Sequence, residues 1–594
     1  MLRDLTPAAL VLAAGVLMAL AQSSARAAQY VDPAACRSCH AGIYETYRHS
    51  GMARSLYKPA PANTVEDYKT NNSFYHPASD RYYTMFERDG RFFQRRHQVD
   101  AAGKPVNVIE REVHYVIGSG NHARSYLHRT EQNRLIQLPA TWYAERGGFW
   151  DMSPGYDWEQ HQDFRRKITM ECLFCHNAYP KIAKETDRVD QEAVFAEELP
   201  EGIDCQRCHG PGGDHVRGFP NSIVNPAKLS RERNIEVCMQ CHLETTSMPL
   251  PYSVRRFGRG VFSYRPGEAL SGYMIHFDHA PNTGHEDKFE IAGAAYRLRQ
   301  SLCFQKSGTL TCTTCHNPHD IPRGEAATRH YTSVCQSCHV SGANASPTGR
   351  SHQEKTTHAQ SGDCITCHMP KRRADDVVHA VMTDHNIQRR KPSRDLLAPK
   401  AEDHGNPYRG EVVLYYPDDL PAADRELYLG VGQVTQGSNI RDGVQRLRAA
   451  IEKYRPQSGF FYFELAKATE GQQAISLYRG ALERMPEYWP AAHRLGLLEQ
   501  STSRLELAAA QSNNAIVFND LGLLYQRQGK LAQAIVALRR AVALDSDLAH
   551  AHNNLGTALA QSGDLKAAEE AFVEAIRLQP DLSAARANLA RLRQ

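Results

Sequence analysis

"DCQRCHGPGGDH", residues 204–215, holds two cysteines three positions apart, a histidine directly behind the second, a Gly-Pro-Gly turn and a further histidine. The Cys-x-x-Cys-His spacing returns in CRSCH (36–40), CLFCH (172–176), CMQCH (238–242), CTTCH (312–316), CQSCH (335–339) and CITCH (364–368). These seven motifs use fourteen of the fifteen cysteines. A zinc site or a redox dithiol needs only the cysteine pair and gives the histidine no task. Covalent haem attachment uses all of the fixed positions: two thiols form thioethers with the vinyl groups, and the next histidine reaches the iron. The reading is seven covalently bound haem c groups. Their thioether positions are Cys36, Cys39, Cys172, Cys175, Cys205, Cys208, Cys238, Cys241, Cys312, Cys315, Cys335, Cys338, Cys364 and Cys367, and their proximal iron ligands are His40, His176, His209, His242, His316, His339 and His368.

The second histidine of the opening stretch concerns the other side of an iron. A low-spin electron-carrying haem takes a sixth ligand, and His or Met there helps set its potential. Gly210-Pro-Gly212 lets the chain reverse, so His215 can leave its own haem and reach a neighbour. His319 follows its motif by three residues and His385 lies just past the last motif, and both are favoured as distal ligands. His122, His285 and His358 come next, with Met52 competing with His49; His114, His128, His161, His276, His279, His352 and His379 remain alternatives.

At 594 residues the chain exceeds one hydrophobic core. A net charge of +4 and the lack of a long Lys/Arg run give no basis for nucleic-acid binding. Arg3, an apolar run over 8–21 and Ala25-Arg-Ala27 read as an export leader over residues 1–27, which is short for a bilayer span. The expectation is a periplasmic or otherwise exported protein with no membrane span after cleavage.

The first four motifs, with "YETYRHSGMARS" and "CHGPGGDH", resemble the small tetrahaem cytochromes of the hydroxylamine-oxidation pathway. Those proteins carry a histidine in the segment matching "SGMA", where this chain has Met52. "RQSLCFQKSGTLTCTTCHNPH", "CHMP" and "DH" resemble the doubled-CXXCH multihaem cytochromes that partner periplasmic reductases. The resemblance covers about residues 30–390. It implies His215, His319 and His385 as sixth ligands, haems stacked in parallel and perpendicular pairs, and scope for one five-coordinate haem acting on a small nitrogen or sulfur compound.

Between the first two motifs "RYYTMFERDGRFFQRRHQV" (81–99) predicts aromatic strands around an Asp89-Gly90 hairpin turn, part of a small antiparallel sheet over about 80–145. Beyond residue 395 the cysteines stop. Residues 396–423 read as a linker, with "EVVLYY" as a single strand, and 424–594 as helices. Asn519-Asp-Leu-Gly522 recurs as Asn553-Asn-Leu-Gly556, and Gly529, Ala534, Ala541 and Leu544 recur as Gly563, Ala568, Ala575 and Leu578. This period of 34 resembles the tetratricopeptide repeat, a stack of helical hairpins. Small residues at Gly522, Gly529 and Ala534 are expected to let helices approach closely.

The fold expected is mainly α. A haem-packed cytochrome domain (28–395) has little regular structure apart from the β insertion and is followed by a helical repeat solenoid. The function expected is electron transfer between redox partner proteins, with a protein or peptide partner docked by the repeats. The alternative is a multihaem oxidoreductase with one five-coordinate haem.

Overall fold

A computed structural model describes residues 29–182, 192–195, 197–246, 253–339, 363–404, 408–416, 418–437 and 439–594. Residues 1–27, read above as an export leader, and the candidates His352 and His358 lie outside the described residues.

Eleven strands lie between the first two motifs: β1 (Leu56–Tyr57), β2 (Ser73–His76), β3 (Arg81–Arg88), β4 (Arg91–Val99), β5 (Pro105–Glu112), β6 (Tyr115–Ile117), β7 (Ala123–Arg129), β8 (Leu135–Gln137), β9 (Ala140–Tyr143), β10 (Phe149–Met152) and β11 (Arg166–Lys167). β2-β3-β4-β5 form one antiparallel sheet; the other strands form a second, in which β7 also pairs with β9 and β9 with β10. Asp89 and Gly90 turn β3 into β4 with φ of 54° and 72°, the double left-handed geometry of a tight hairpin. The β region is therefore larger than the stretch 80–145. It takes in β1 and β2 before that stretch and β10 and β11 after it, while β8 and β9, inside it, are buried at every position.

Further along, β12 (Ser253–Arg255), β13 (Met274–His279), β14 (Lys371–Arg373), β15 (Val381–Thr383) and β16 (Val412–Leu414) make two small antiparallel sheets. β16, inside the stretch read as a linker, pairs with β13.

The C-terminal region is helical from Ala422 to Leu592. Ser501, Asn514 and Asp564 cap three of these helices by accepting backbone N–H groups with their side chains. A Cβ at Gly522 would press on Leu538 at 2.6 Å, and one at Gly556 on Phe572 at 2.7 Å, so these glycines set the close approach within each hairpin. Gly529 acts differently from the expectation. It turns the chain between helices at φ 74°, with nothing near its Cβ position.

The solenoid is held at both ends. Its first helix, Ala422–Gln436, shares a core with Ile275, Phe277 and Val412. At the other end Ala549, Ala575, Leu578, Leu582 and Ala585 share a core with Tyr83, Phe92, Trp142 and Trp150 of the sheets. Arginines of the sheets cap the helix C-termini there. Arg96 donates to the Arg577 and Leu578 carbonyls at 3.2 and 3.1 Å, and Arg134 donates to the Leu544 carbonyl. A helix C-terminus leaves such carbonyls unpaired and carries negative partial charge, so a guanidinium answers both needs.

Beneath this joint His161 is 1% exposed. Its Nδ1 accepts the Asp163 N–H at 3.0 Å, and its Nε2 lies 3.2 Å from the Tyr83 hydroxyl. Burial, opposed by Asp163 and reinforced by Arg81, holds its pKa at about 3. Above pH ~6.5 the ring is neutral in both folded and unfolded chains, and its contribution is fully present. As pH falls toward 3, the unfolded chain binds a proton that the folded one refuses. That costs about 1.4 kcal/mol of stability per pH unit. His161→Gln is expected to remove this slope from urea-unfolding free energies measured between pH 6 and 4. An unchanged slope would place the acid sensitivity elsewhere.

Candidate haem sites

Each motif folds as a helical turn. The His40, His209, His316 and His339 N–H groups donate to the Cys36, Cys205, Cys312 and Cys335 carbonyls at 2.9–3.1 Å. In such a turn residues three and four apart share a face, which brings both thiols and the histidine to one side.

Several motif rings are then fixed through Nδ1. His209 donates to the Val224 carbonyl at 2.8 Å and His368 to the Gln388 carbonyl at 2.6 Å. A carbonyl can only accept, so Nδ1 carries the proton and the Nε2 lone pair stays available to a metal. His316 Nδ1 lies 3.1 Å from the Tyr331 hydroxyl instead.

Three motif rings face a histidine from beyond a motif. His40 and His215 have ring centres 6.4 Å apart at 12°, His209 and His319 are 5.9 Å apart at 14°, and His316 and His385 are 6.1 Å apart at 39°. An imidazole nitrogen sits about 2 Å from its metal and the ring centre about 1 Å behind, so two rings across one ion stand about 6 Å apart. His385 has Nδ1 3.1 Å from the Thr383 carbonyl, and burial among neighbours that include His316 lowers its pKa to about 4, keeping the ring neutral. Burial also lowers His176, to about 4, and His242. All three residues nonetheless keep some accessible surface. Neutral, enclosed imidazoles fit a haem.

The thiols of different motifs also meet. Cys36 lies close to Cys205, Cys175 to Cys241, Cys238 to Cys312, and Cys335 to Cys364. Arg207, between the two cysteines of its own motif, is 1% exposed. Its guanidinium lies 4.2 Å from the Phe174 ring centre and 5.1 Å from those of Tyr179 and Phe262, a cation–π cage that ties the third motif to the second.

The remaining candidates sit apart from motif rings among the described residues. His285 stacks on His279 at 4.2 Å and 7°, with Tyr408 at their edges. His114 and His128 meet each other at 5.1 Å, His276 meets Tyr416, and His379 lies between Tyr143 and Phe149. His122 faces the Val381 backbone, and burial lowers its pKa. Met52 is half-buried in a turn whose carbonyl accepts the Ile203 N–H, while His49 is exposed. The ring partners Tyr331, Val224 and Gln388 went unread in the sequence; a carbonyl has no sequence signature, and Tyr331 stands out only by lying one helical turn before Cys335.

The Met52 turn is pinned by Gly202. Its φ is +48°, and a Cβ there would collide with the Ala53 carbonyl. Gly202→Ala is expected to cost about 2–4 kcal/mol, from overpacking and left-handed strain together. A thermal melt checks this, and an unshifted midpoint refutes it.

The family of the doubled CXXCH motif matches residues 306–344. The chain is a multihaem cytochrome. Its C-terminal repeats match two further families, the TPR repeat over 522–563 and the tetratricopeptide repeat over 549–582. The cytochrome is 22% identical over 179 residues to the multiheme cytochrome MtrA of Shewanella baltica, an alignment covering 28% of this chain and 52% of that protein. It thus spans about half the length of that curated relative. Among solved structures, MamA (residues 41 to the end) of Desulfovibrio magneticus is 21% identical, with 27% of this chain and 96% of that one covered and a TM-score of 0.25. A thermophilic TPR protein of Thermus thermophilus is 22% identical, with 29% and 98% covered and a TM-score of 0.24. Among the described residues no helix is long and apolar enough to cross a membrane.

Proposed function

We propose that this multihaem cytochrome is an exported, heptahaem electron carrier that moves electrons between redox partner proteins, with its repeats docking a protein or peptide partner. Residues 1–27 serve as leader, 28–395 as a haem-packed domain within a mainly α protein, 396–423 as its connection, and 424–594 as repeats. The haems, when bound, supply one-electron chemistry. The chain's own residues supply the rest: fourteen cysteines tether, seven motif histidines ligate, and Val224, Gln388 and Tyr331 orient three of those rings. His215, His319 and His385 are the distal ligands opposite His40, His209 and His316.

The observation that carries this reading is the set of three facing pairs, each about as far apart as one shared iron requires. A ligand on both faces of an iron leaves no position for substrate, which suits a carrier. The test is haem quantification of the purified protein together with its oxidised EPR spectrum. Seven haems per chain, all low-spin and indifferent to nitrite or hydroxylamine, are expected. A high-spin signal of about one haem that responds to either compound would replace the carrier with an oxidoreductase.

A further inference from the structure

We infer that Arg207 sets reduction potentials: its guanidinium, buried without a counter-charge where the second, third and fourth motifs meet, raises the potentials of the haems those motifs carry. The inference rests on the haem reading above and goes beyond it to which haems hold electrons first.

Arg96, Arg207 and Arg297 are among the largest fully buried side chains. Arg96 is paired with Asp163 at 2.8 Å and Arg297 with Asp384 at 2.7 Å. Arg207 has no such pair. Its Nη2 donates to the Phe174 carbonyl at 2.6 Å, while Nε and Nη1 have no hydrogen-bond partner among the described residues. The acid nearest in sequence, Asp204, instead accepts the Arg207 backbone N–H at 3.2 Å and the Gln206 amide at 3.0 Å. Burying a cation without a counter-charge is costly. The rings of Phe174, Tyr179 and Phe262 offset part of that cost. Ring quadrupoles attract a cation but do not neutralise it. An ion pair therefore casts the short-ranged field of a dipole, whereas the caged Arg207 casts that of a whole positive charge.

That charge stands among three motifs. Phe174 lies between the two cysteines of the second motif, and its carbonyl, which accepts from the guanidinium, is also 3.9 Å from the Cys241 thiol of the fourth. Arg207 lies between the cysteines of the third motif, and its own carbonyl accepts from Gln240, between those of the fourth, at 3.2 Å. All three residues hold the same place, directly before the second cysteine of a motif. Reducing an iron adds one electron, and a fixed cation nearby stabilises that added negative charge, the more so where little water screens it. The haems of these three motifs are therefore reduced at higher potential than their axial ligands alone would set.

The experiment uses the full-length, haem-loaded protein carrying Arg207→Gln. Haem content is measured first, and the midpoints are then read by potentiometric titration followed in the visible spectrum and by EPR. Three one-electron midpoints are expected to fall, each by about a tenfold change in the reduction equilibrium, ~59 mV for one electron, while the others hold. Arg207→Lys keeps the charge but loses the planar fork, and should leave the midpoints at the parent values. Full haem content with no shift in Arg207→Gln would overturn the inference, since another group, such as a haem carboxylate, would then already neutralise the charge. Equal shifts in the Gln and Lys variants would also overturn it, because repacking rather than charge would be responsible. Peptide mass spectrometry of the parent separates the underlying reading: no haem on these three motifs would refute that reading itself. Should Arg207→Gln fold poorly, Arg207→Met fills the cage with an apolar side chain and is expected to lower the same three midpoints; unchanged midpoints there would count against the inference.

Discussion

Replacing Asp163 with asparagine is expected to cost about 3–5 kcal/mol and to loosen the repeats from the sheets, because it strips the buried Arg96 of its counter-charge and leaves Arg81 only the more exposed Asp581. Asp163 accepts from Arg96 Nε at 2.8 Å and lies 3.9 Å from Arg81, with the three side chains 3%, 0% and 3% exposed respectively. Burial alone would raise the Asp163 pKa, but Arg96 and Arg81 outweigh it and hold it below the usual carboxylate range. With the folded pKa depressed, the pair's contribution is present above pH ~4 and is lost as pH falls through the folded value. Asparagine keeps the left-handed backbone, φ 52°, that this position needs, so the variant isolates the charge. Arg96 also donates to the carbonyls that end the helix Leu565–Leu578, and a displaced Arg96 should free that end. The matching control is Asp581→Asn, 3.5 Å from Arg81 but 45% exposed, where a loss under about 1 kcal/mol is expected. Urea unfolding with limited proteolysis of the region 396–423 separates the two variants. Equal behaviour would mean that the buried pair is not what fastens the joint.

That joint also marks the limit of what the sequence could say. The seven motifs were legible because covalent attachment demands fixed chemistry at fixed spacing within one helical turn. The Asp89-Gly90 hairpin and the 34-residue period were legible for the same reason: each is a local constraint on φ, on small residues or on repeating contacts. Arg96 meeting Leu578, 482 positions away, leaves no local trace. Arg96 reads as one charge in "RFFQRRHQV" and Leu578 as one more apolar residue of a repeat. The strands outside 80–145, β1, β2, β10 and β11, were lost likewise, since segments of two to four residues are too short to show a period. Histidines were the intermediate case. Position relative to a motif favoured His215, His319 and His385, and these three face motif rings in the fold; His285 offered similar composition but spends its ring face on His279.

His319 and His285 therefore give the sharpest contrast in ligation. His319→Ala is expected to turn about one haem's worth of low-spin iron high-spin, with haem content unchanged, because the tether at Cys205, Cys208 and His209 does not depend on the distal ring. His285→Ala is expected to leave the spectrum as it was. The ring of His319 stands 5.9 Å from that of His209 at 14°, the separation of two imidazoles sharing an ion, whereas His285 lies 4.2 Å from His279, too close to admit a metal between stacked faces. EPR of the oxidised proteins reads both. A new high-spin signal in His285→Ala but not in His319→Ala would reverse the ligand assignment. The expected pattern would leave His319 with two tasks set by three residues of chain: it completes one haem while tying it to the next.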